Sequence, residues 1–234
     1  MIKYLQLPFY FDVKKMQEEL LQIDSRAWQL HYQKLHYEGD WSALPLRSVN
    51  GDPGNILVSP EINPEYKETV FLNNSVYFKE VLSSFKCPLL AVRLLKLNAG
   101  SIINEHKDAE LCYEKDEIRI HIPVVTNSEV EFYLDKDRIN LIEGECWYMN
   151  FNLPHFVNNK GNTARIHLVV DATVNDWVKE MFAQPAVCKK EMDEPGYDNN
   201  TKQQIIAQLR ELNTETGNRL AHEIEATVEV NSNH

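Results

Sequence analysis

The amino-acid sequence predicts a mainly β fold: a double-stranded β-helix, or jelly roll, over residues 89–172. Residues 1–88 add α/β elements before it, within one domain of 1–172, and residues 173–234 form a helical extension. Two observations carry this expectation. Between 89 and 172, short alternating runs recur, each closed by a turn signal: "LLAVRLLKLNAGS", "EIRIHIPVV", "VEFYLD", "RINLIEG", "CWYMNF" and "ARIHLVVD". Short strands at spacings of about 8–12 residues suit a sandwich or barrel. Outside that stretch the period lengthens, and "VKKMQEELLQI", "NSVYFKEVLSSF", "NDWVKEMFA" and "TKQQIIAQLRELNTETGNRLAHEIE" read as helices.

Taken in order, "YLQLPFYFD" reads as an opening strand, and "WSALPLRSVNGDPGN" as a strand entering a Gly/Pro turn. In the last helical segment Ile205, Leu209 and Leu212, then Leu220 and Ile224, form an apolar stripe. That stripe packs either on the barrel or on a second copy of the chain, which would make a homodimer. The closing "VNSNH" reads as frayed.

Composition narrows the function. A chain of 234 residues buries roughly 70–75% of its unfolded surface and needs no disulfide support. The net charge of −11 argues against nucleic acid, whose binders need a basic face. No apolar run approaches the ~20 residues that span a membrane. Cys87, Cys112, Cys146 and Cys188 are scattered without a CxxC pair, which suits reduced thiols in a cytoplasmic protein. The N-terminal residues lack the basic and small-residue pattern of a signal peptide.

Several polar residues interrupt the apolar runs. In "INEHKDAE", His106 and Asp108 are two apart on an extended segment, so both side chains point to one side. His155, in "CWYMNFNLPHFVNNKG", is a third candidate ligand. Two histidines and a carboxylate form the facial triad of non-haem Fe(II) oxygenases, and zinc accepts the same donors. Each residue alone reads equally as a solvated strand end or turn. Arg165 follows His155 by ten residues across "NNKGN", through a tight hairpin or a crossover between facing sheets. A guanidinium inside a barrel needs an anion, and its planar fork matches a carboxylate. Arg119 and His121 share one face of "EIRIHIPVV", as Arg165 and His167 do on their strand; both pairs also fit polar outer faces of half-buried strands.

The ordered set "LNAGSIINEHKD", "IRIHIPVVTN", "GECWYMNFNLPHFVNNKG" and "RIHLVVD" resembles the aspartyl/asparaginyl β-hydroxylases, which include proline cis-hydroxylases. "DWSALPLRS" is similar to that family's N-terminal strand. The resemblance implies a 2-oxoglutarate- and Fe(II)-dependent dioxygenase using O2, with His106, Asp108 and His155 as iron ligands. It implies Arg165 on the distal carboxylate of 2-oxoglutarate, and Arg119 and His121 on cosubstrate or substrate carboxylates. Retention of Asp108 is similar to the small-molecule hydroxylases, so the expected substrate is a free amino acid or similar molecule. Arg93, Arg47 and Asn150 are candidates to hold it, each with a surface, ion-pair or turn role as the alternative. A hydroxylase of Asp or Asn in a peptide is the rival enzyme. A non-catalytic cupin-like metal-binding module is the rival outside catalysis, and a missing ligand or missing Arg165 would favour it.

Overall fold

Residues 1–58, 64–186, 188–192 and 199–230 are described by the structure, a computed structural model, and they fall into two units. The first, Ile2–Glu191, starts with β1 (Ile2–Tyr10), α1 (Val13–Leu20), β2 (Gln29–Leu30), β3 (Tyr37–Glu38) and β4 (Trp41–Val49). β5 (Tyr66–Glu68), α2 (Val70–Asn73) and α3 (Val76–Ser83) follow. Eight strands come next: β6 (Leu89–Leu97), β7 (Ile102–His106), β8 (Glu117–Val125), β9 (Val130–Leu134), β10 (Asp137–Arg138), β11 (Glu145–Met149), β12 (His155–Asn159) and β13 (Arg165–Thr173). α4 (Asp176–Ala183) and β14 (Lys189–Glu191) complete the unit.

These eight strands are wound between two antiparallel sheets. The large sheet contains the order β11-β8-β13-β6 and the small one β10-β9-β12-β7, so nearly every connection crosses from one sheet to the other. That winding is the double-stranded β-helix. Residues 160–164, between β12 and β13, are therefore a crossover and not a hairpin. β4 extends the large sheet beside β6, and β1 extends it beside β11.

Alternation on the large sheet serves two interiors. Ile118, Ile120, Ile122 and Val124 of β8 are fully buried on one face, with Leu168 and Val170 of β13. Four helices cover that face through Met16 of α1, Leu72 of α2, Phe78 of α3 and Phe182 of α4. Each such large apolar side chain contributes roughly 1.5–3 kcal/mol by leaving water. Asp12 caps α1 by accepting from the Lys15 amide, and Asn175 caps α4 by accepting from Val178. The opposite face looks into the barrel, where Trp41, Leu97, Phe132, Trp147 and Val157 pack. Arg165, His167 and His121 lie on that second face and are buried, so the reading of polar outer faces does not hold for them. Both sides of the sheet are inside.

Two runs depart from their expected form. Of "RINLIEG" only Arg138 is in a strand, closing β10 at the edge of the small sheet, while Ile139 and Leu141 still fill the barrel. The second unit contains α5 (Asn199–Glu211) and α6 (Glu215–Val230). There Ile206 and Ala221 are buried, whereas Leu212 and Leu220 of the expected stripe are exposed. Gly217 lets the two helices approach, because a Cβ there would lie 2.6 Å from the Leu209 carbonyl oxygen. Arg210 and Glu225 pair across the turn at 2.6 Å. The expected frayed segment lies mostly outside the described residues. Cys87, Cys112, Cys146 and Cys188 are free. No helix among the described residues is long and apolar enough to cross a membrane.

Candidate active site

The barrel opens on a cavity of about 250 Å³. Its wall brings together His106, Asp108, His155, Arg119, His121, Arg165 and Arg93 from five strands and one loop. Cross-strand pairing explains the two histidines: His155 of β12 stands directly opposite His106 of β7, with ring centroids 4.2 Å apart. One further pair along, Val157 faces Ile103, so β7 spends three residues where β12 spends two. This extra residue is a β-bulge, a device that re-aims a side chain. Ile103 and His106 thereby both point inward, against simple alternation. Asp108 follows just past the strand, its amide donating to the Phe151 carbonyl at 2.9 Å.

One donor atom from each of His106, Asp108 and His155 lies within 4.8 Å of the others. Both imidazoles are oriented alike. Nδ1 of His106 is 2.8 Å from the Asn104 carbonyl oxygen, and Nδ1 of His155 is 3.0 Å from that of Leu153. A carbonyl only accepts, so each Nδ1 carries a proton and each Nε2 is the nitrogen left for an ion. Burial and the neighbouring His106 push the His155 imidazole down to about 4. Burial alone would raise the Asp108 carboxyl, but Arg119, His155 and His106 together hold it below its ordinary range. The set is two imidazoles and one carboxylate, a donor set that fits a divalent transition metal.

Deeper in the barrel lies Arg165, 2% exposed. Its Nη2 is 3.0 Å from Nδ1 of His167, its Nε has no hydrogen-bond partner, and no carboxylate pairs with it among the described residues. Burial pulls the guanidinium down to about 9, so it stays charged at neutral pH. His121, stacked on Phe151, approaches His167 Nδ1 to Nδ1 at 3.2 Å and leaves its Nε2 buried without a partner. An unmatched buried cation beside an unmatched buried nitrogen is costly, and an anionic ligand reverses that cost.

Arg119 and Arg93 differ from Arg165 because they already have acids. Asp171, fully buried, accepts from Arg119 Nε at 2.6 Å, from Arg119 Nη2 at 3.0 Å and from Arg93 Nη2 at 2.9 Å. The remaining arm of Arg119, Nη1, donates to Oδ2 of Asp108. Oδ1 of Asp108 is the oxygen 3.9 Å from Nε2 of His106, so Arg119 takes one carboxylate oxygen and leaves the other to the histidine pair. Arg119, expected to receive a cosubstrate or substrate carboxylate, spends all three arms on protein.

Two expected substrate residues are not on the wall. Arg47 turns its Nη2 to the Tyr66 and Leu89 carbonyls, tying β4 to its neighbours. Asn150 is fully buried in the turn after β11, where its Oδ1 accepts from the Asn152 amide at 3.1 Å. Conversely, His31 and Glu117 line the cavity without having been singled out in the sequence. His31 stacks on Trp41 at 3.6 Å, and nothing local in "QLHYQKLHYE" marks that histidine over His36.

The model of the aspartyl/asparaginyl beta-hydroxylase family matches residues 11–174 of this chain. The chain belongs to that family. A relative, the L-proline cis-4-hydroxylase of Rhizobium meliloti (strain 1021), is 26% identical over 166 residues, covering 69% of this chain and 57% of the relative. The match thus spans little more than half of that relative's length. Among solved structures, a Pseudomonas putida prolyl-4-hydroxylase is 9% identical, with a TM-score of 0.47 over 75% of this chain and 94% of that one. A 2OG-Fe(II) oxygenase-family oxidoreductase from Burkholderia pseudomallei is 13% identical, with a TM-score of 0.46 over 74% and 88%. The strand order of this member of the aspartyl/asparaginyl beta-hydroxylase family is itself that of a double-stranded β-helix.

The buried histidines predict a pH dependence. Burial, with nearby arginines, pushes His31 down to about 3 and His121 and His167 well below their ordinary value, as it does His155. An unfolded chain protonates these imidazoles near 6.5, so below that pH it binds protons the folded chain refuses. Stability is therefore fully present above about pH 6.5 and falls as pH drops, by up to about 1.4 kcal/mol per pH unit for each histidine. Urea midpoints without added metal should fall between pH 7 and 5. Flat midpoints over that range would contradict the neutral assignment.

Proposed function

We propose that this chain is a 2-oxoglutarate- and Fe(II)-dependent dioxygenase that hydroxylates an unactivated C–H bond of a free amino acid or similar small molecule. One observation carries the reading: a two-histidine, one-carboxylate cluster shares a cavity with a buried arginine that lacks an acid. His106, Asp108 and His155 would hold Fe(II), each through the donor left free by its other hydrogen bond. Arg165 would grip the distal carboxylate of 2-oxoglutarate with its unpaired edge, and His121 would present Nε2 to the same ligand. Bound Fe(II) supplies O2 activation, with one oxygen atom entering the substrate as a hydroxyl and the other entering succinate as 2-oxoglutarate loses CO2.

The protein's own share is positioning. Arg119 fixes the rotation of the Asp108 carboxylate, and Asp171 fixes Arg119. Phe151, edge-on to His155 at 4.7 Å and stacked on His121, keeps water from the inner ring faces. A cavity of about 250 Å³ suits a small molecule better than a folded polypeptide. The relative's name, a proline hydroxylase, supports the amino-acid class.

The test begins with anaerobic addition of Fe(II) and 2-oxoglutarate, which should produce a visible charge-transfer band. A panel of free amino acids should then contain at least one that stimulates succinate release in air. In Arg165→Ala, 2-oxoglutarate affinity should weaken roughly 10- to 100-fold, the worth of a charge-assisted hydrogen-bond pair, while iron content stays unchanged. Equal loss of both would contradict the assignment of Arg165.

A further inference from the structure

On the inner face of β8 three residues form a ladder, Glu117, Arg119 and His121, paired across to Thr173, Asp171 and Val169 of β13. Arg119 and His121 are deep, and Glu117 stands one step outward, about 7 Å along the strand. All three line the cavity. Their acids are not equally occupied. Asp171 is shared by Arg93 and Arg119, and Asp108 is held by Arg119. The Glu117 carboxylate has no hydrogen-bond or ion-pair partner among the described residues.

We infer that Glu117 receives the ammonium group of a zwitterionic substrate, so that the substrate is a free amino acid with an unblocked amine. This inference rests on the amino-acid reading proposed above and assigns the subsite that such a substrate requires. A half-buried carboxylate beside a cavity attracts a cation, and Arg119, the cation that acts on Glu117, is already paired with Asp171 and Asp108. Burial and Asp171 hold its carboxyl above the ordinary range, against the pull of Arg119, so an arriving ammonium relieves an existing cost. The wider charge pattern agrees. With Fe(II) and dianionic 2-oxoglutarate in the places proposed, the positive and negative charges around the cavity balance when Glu117 is ionised. A zwitterion keeps that balance, whereas an amine-blocked acid adds an uncompensated negative charge next to Glu117.

The test uses the full chain loaded anaerobically with Fe(II) and 2-oxoglutarate, titrated calorimetrically with free L-amino acids and their N-acetyl counterparts. The wild type should bind at least one free amino acid roughly 10- to 100-fold more tightly than its N-acetyl form. Glu117→Gln should lose that preference by weakening the free acid alone, and Glu117→Asp should keep most of it. Binding of 2-oxoglutarate should be equal in all three proteins. Unchanged amino-acid affinity in Glu117→Gln would overturn the assignment while leaving the amino-acid reading intact. A wild type that binds 2-oxoglutarate but no free amino acid would overturn that reading and this inference with it. Loss of 2-oxoglutarate affinity in both variants would mark a damaged wall and overturn the assignment as well.

Discussion

Replacing His155 with alanine is expected to abolish stoichiometric Fe(II) binding and to cut 2-oxoglutarate turnover by more than about 100-fold, beyond the usual cost of losing an outer-shell partner. Among the described residues the three donors have no spare protein ligand beside them, because His36, whose ring lies 5.1 Å from His106, is not within the cluster. His155 is also packed against Phe151, so alanine leaves a void. His155→Gln keeps most of the volume without the imidazole and should fail in the same way. Iron per chain after anaerobic loading, with the charge-transfer band as a second readout, decides the matter. An alanine variant that retains one iron would remove His155 from the ligand set.

The largest effect on stability is expected at Asp171. This carboxylate is inaccessible to solvent and accepts from two buried guanidinium groups. Asp171→Ala leaves Arg93 without an acid and Arg119 with Asp108 alone, and breaking a buried pair in this way costs about 3–5 kcal/mol. Urea unfolding should show the loss directly. A change below about 1 kcal/mol would mean that water or Asp108 replaces the missing acid. Arg119 has that second acid already in hand, so the variant should also pull Asp108 away from its present rotation and lower iron affinity. The stability loss and the iron loss share a cause.

Much of the barrel was legible because its strands keep a period of two over short spans bounded by turns. The runs "EIRIHIPVV" and "ARIHLVVD" show this well, since they became β8 and β13 with few shifts. What alternation did not reveal was that both faces of those strands are interior. An isoleucine row says only that one side is dry, and the helices that dry it come from distant parts of the chain. The convergence of His106, Asp108, His155 and Arg165 was anticipated from the family resemblance of the ordered motifs, while each residue alone left a turn or surface role open. Asp171 was not assigned a role, although it closes the "RIHLVVD" run. Its importance appears only when Arg119 lies beside it across two strands. Arg47 illustrates the reverse case. Its sequence neighbourhood offered no sign that its Nη2 would turn to two backbone carbonyls.

The bulge in β7 has a consequence for how such a centre is inherited. Ile103 and His106 are three residues apart, so a β7 that paired without the bulge would turn one of the two outward, taking either an apolar side chain from the barrel or the imidazole from the cavity. Metal capture in this chain therefore depends on where one surplus amino acid of a five-residue strand is absorbed: held in the bulge, it leaves the imidazole and its apolar neighbour on the same side.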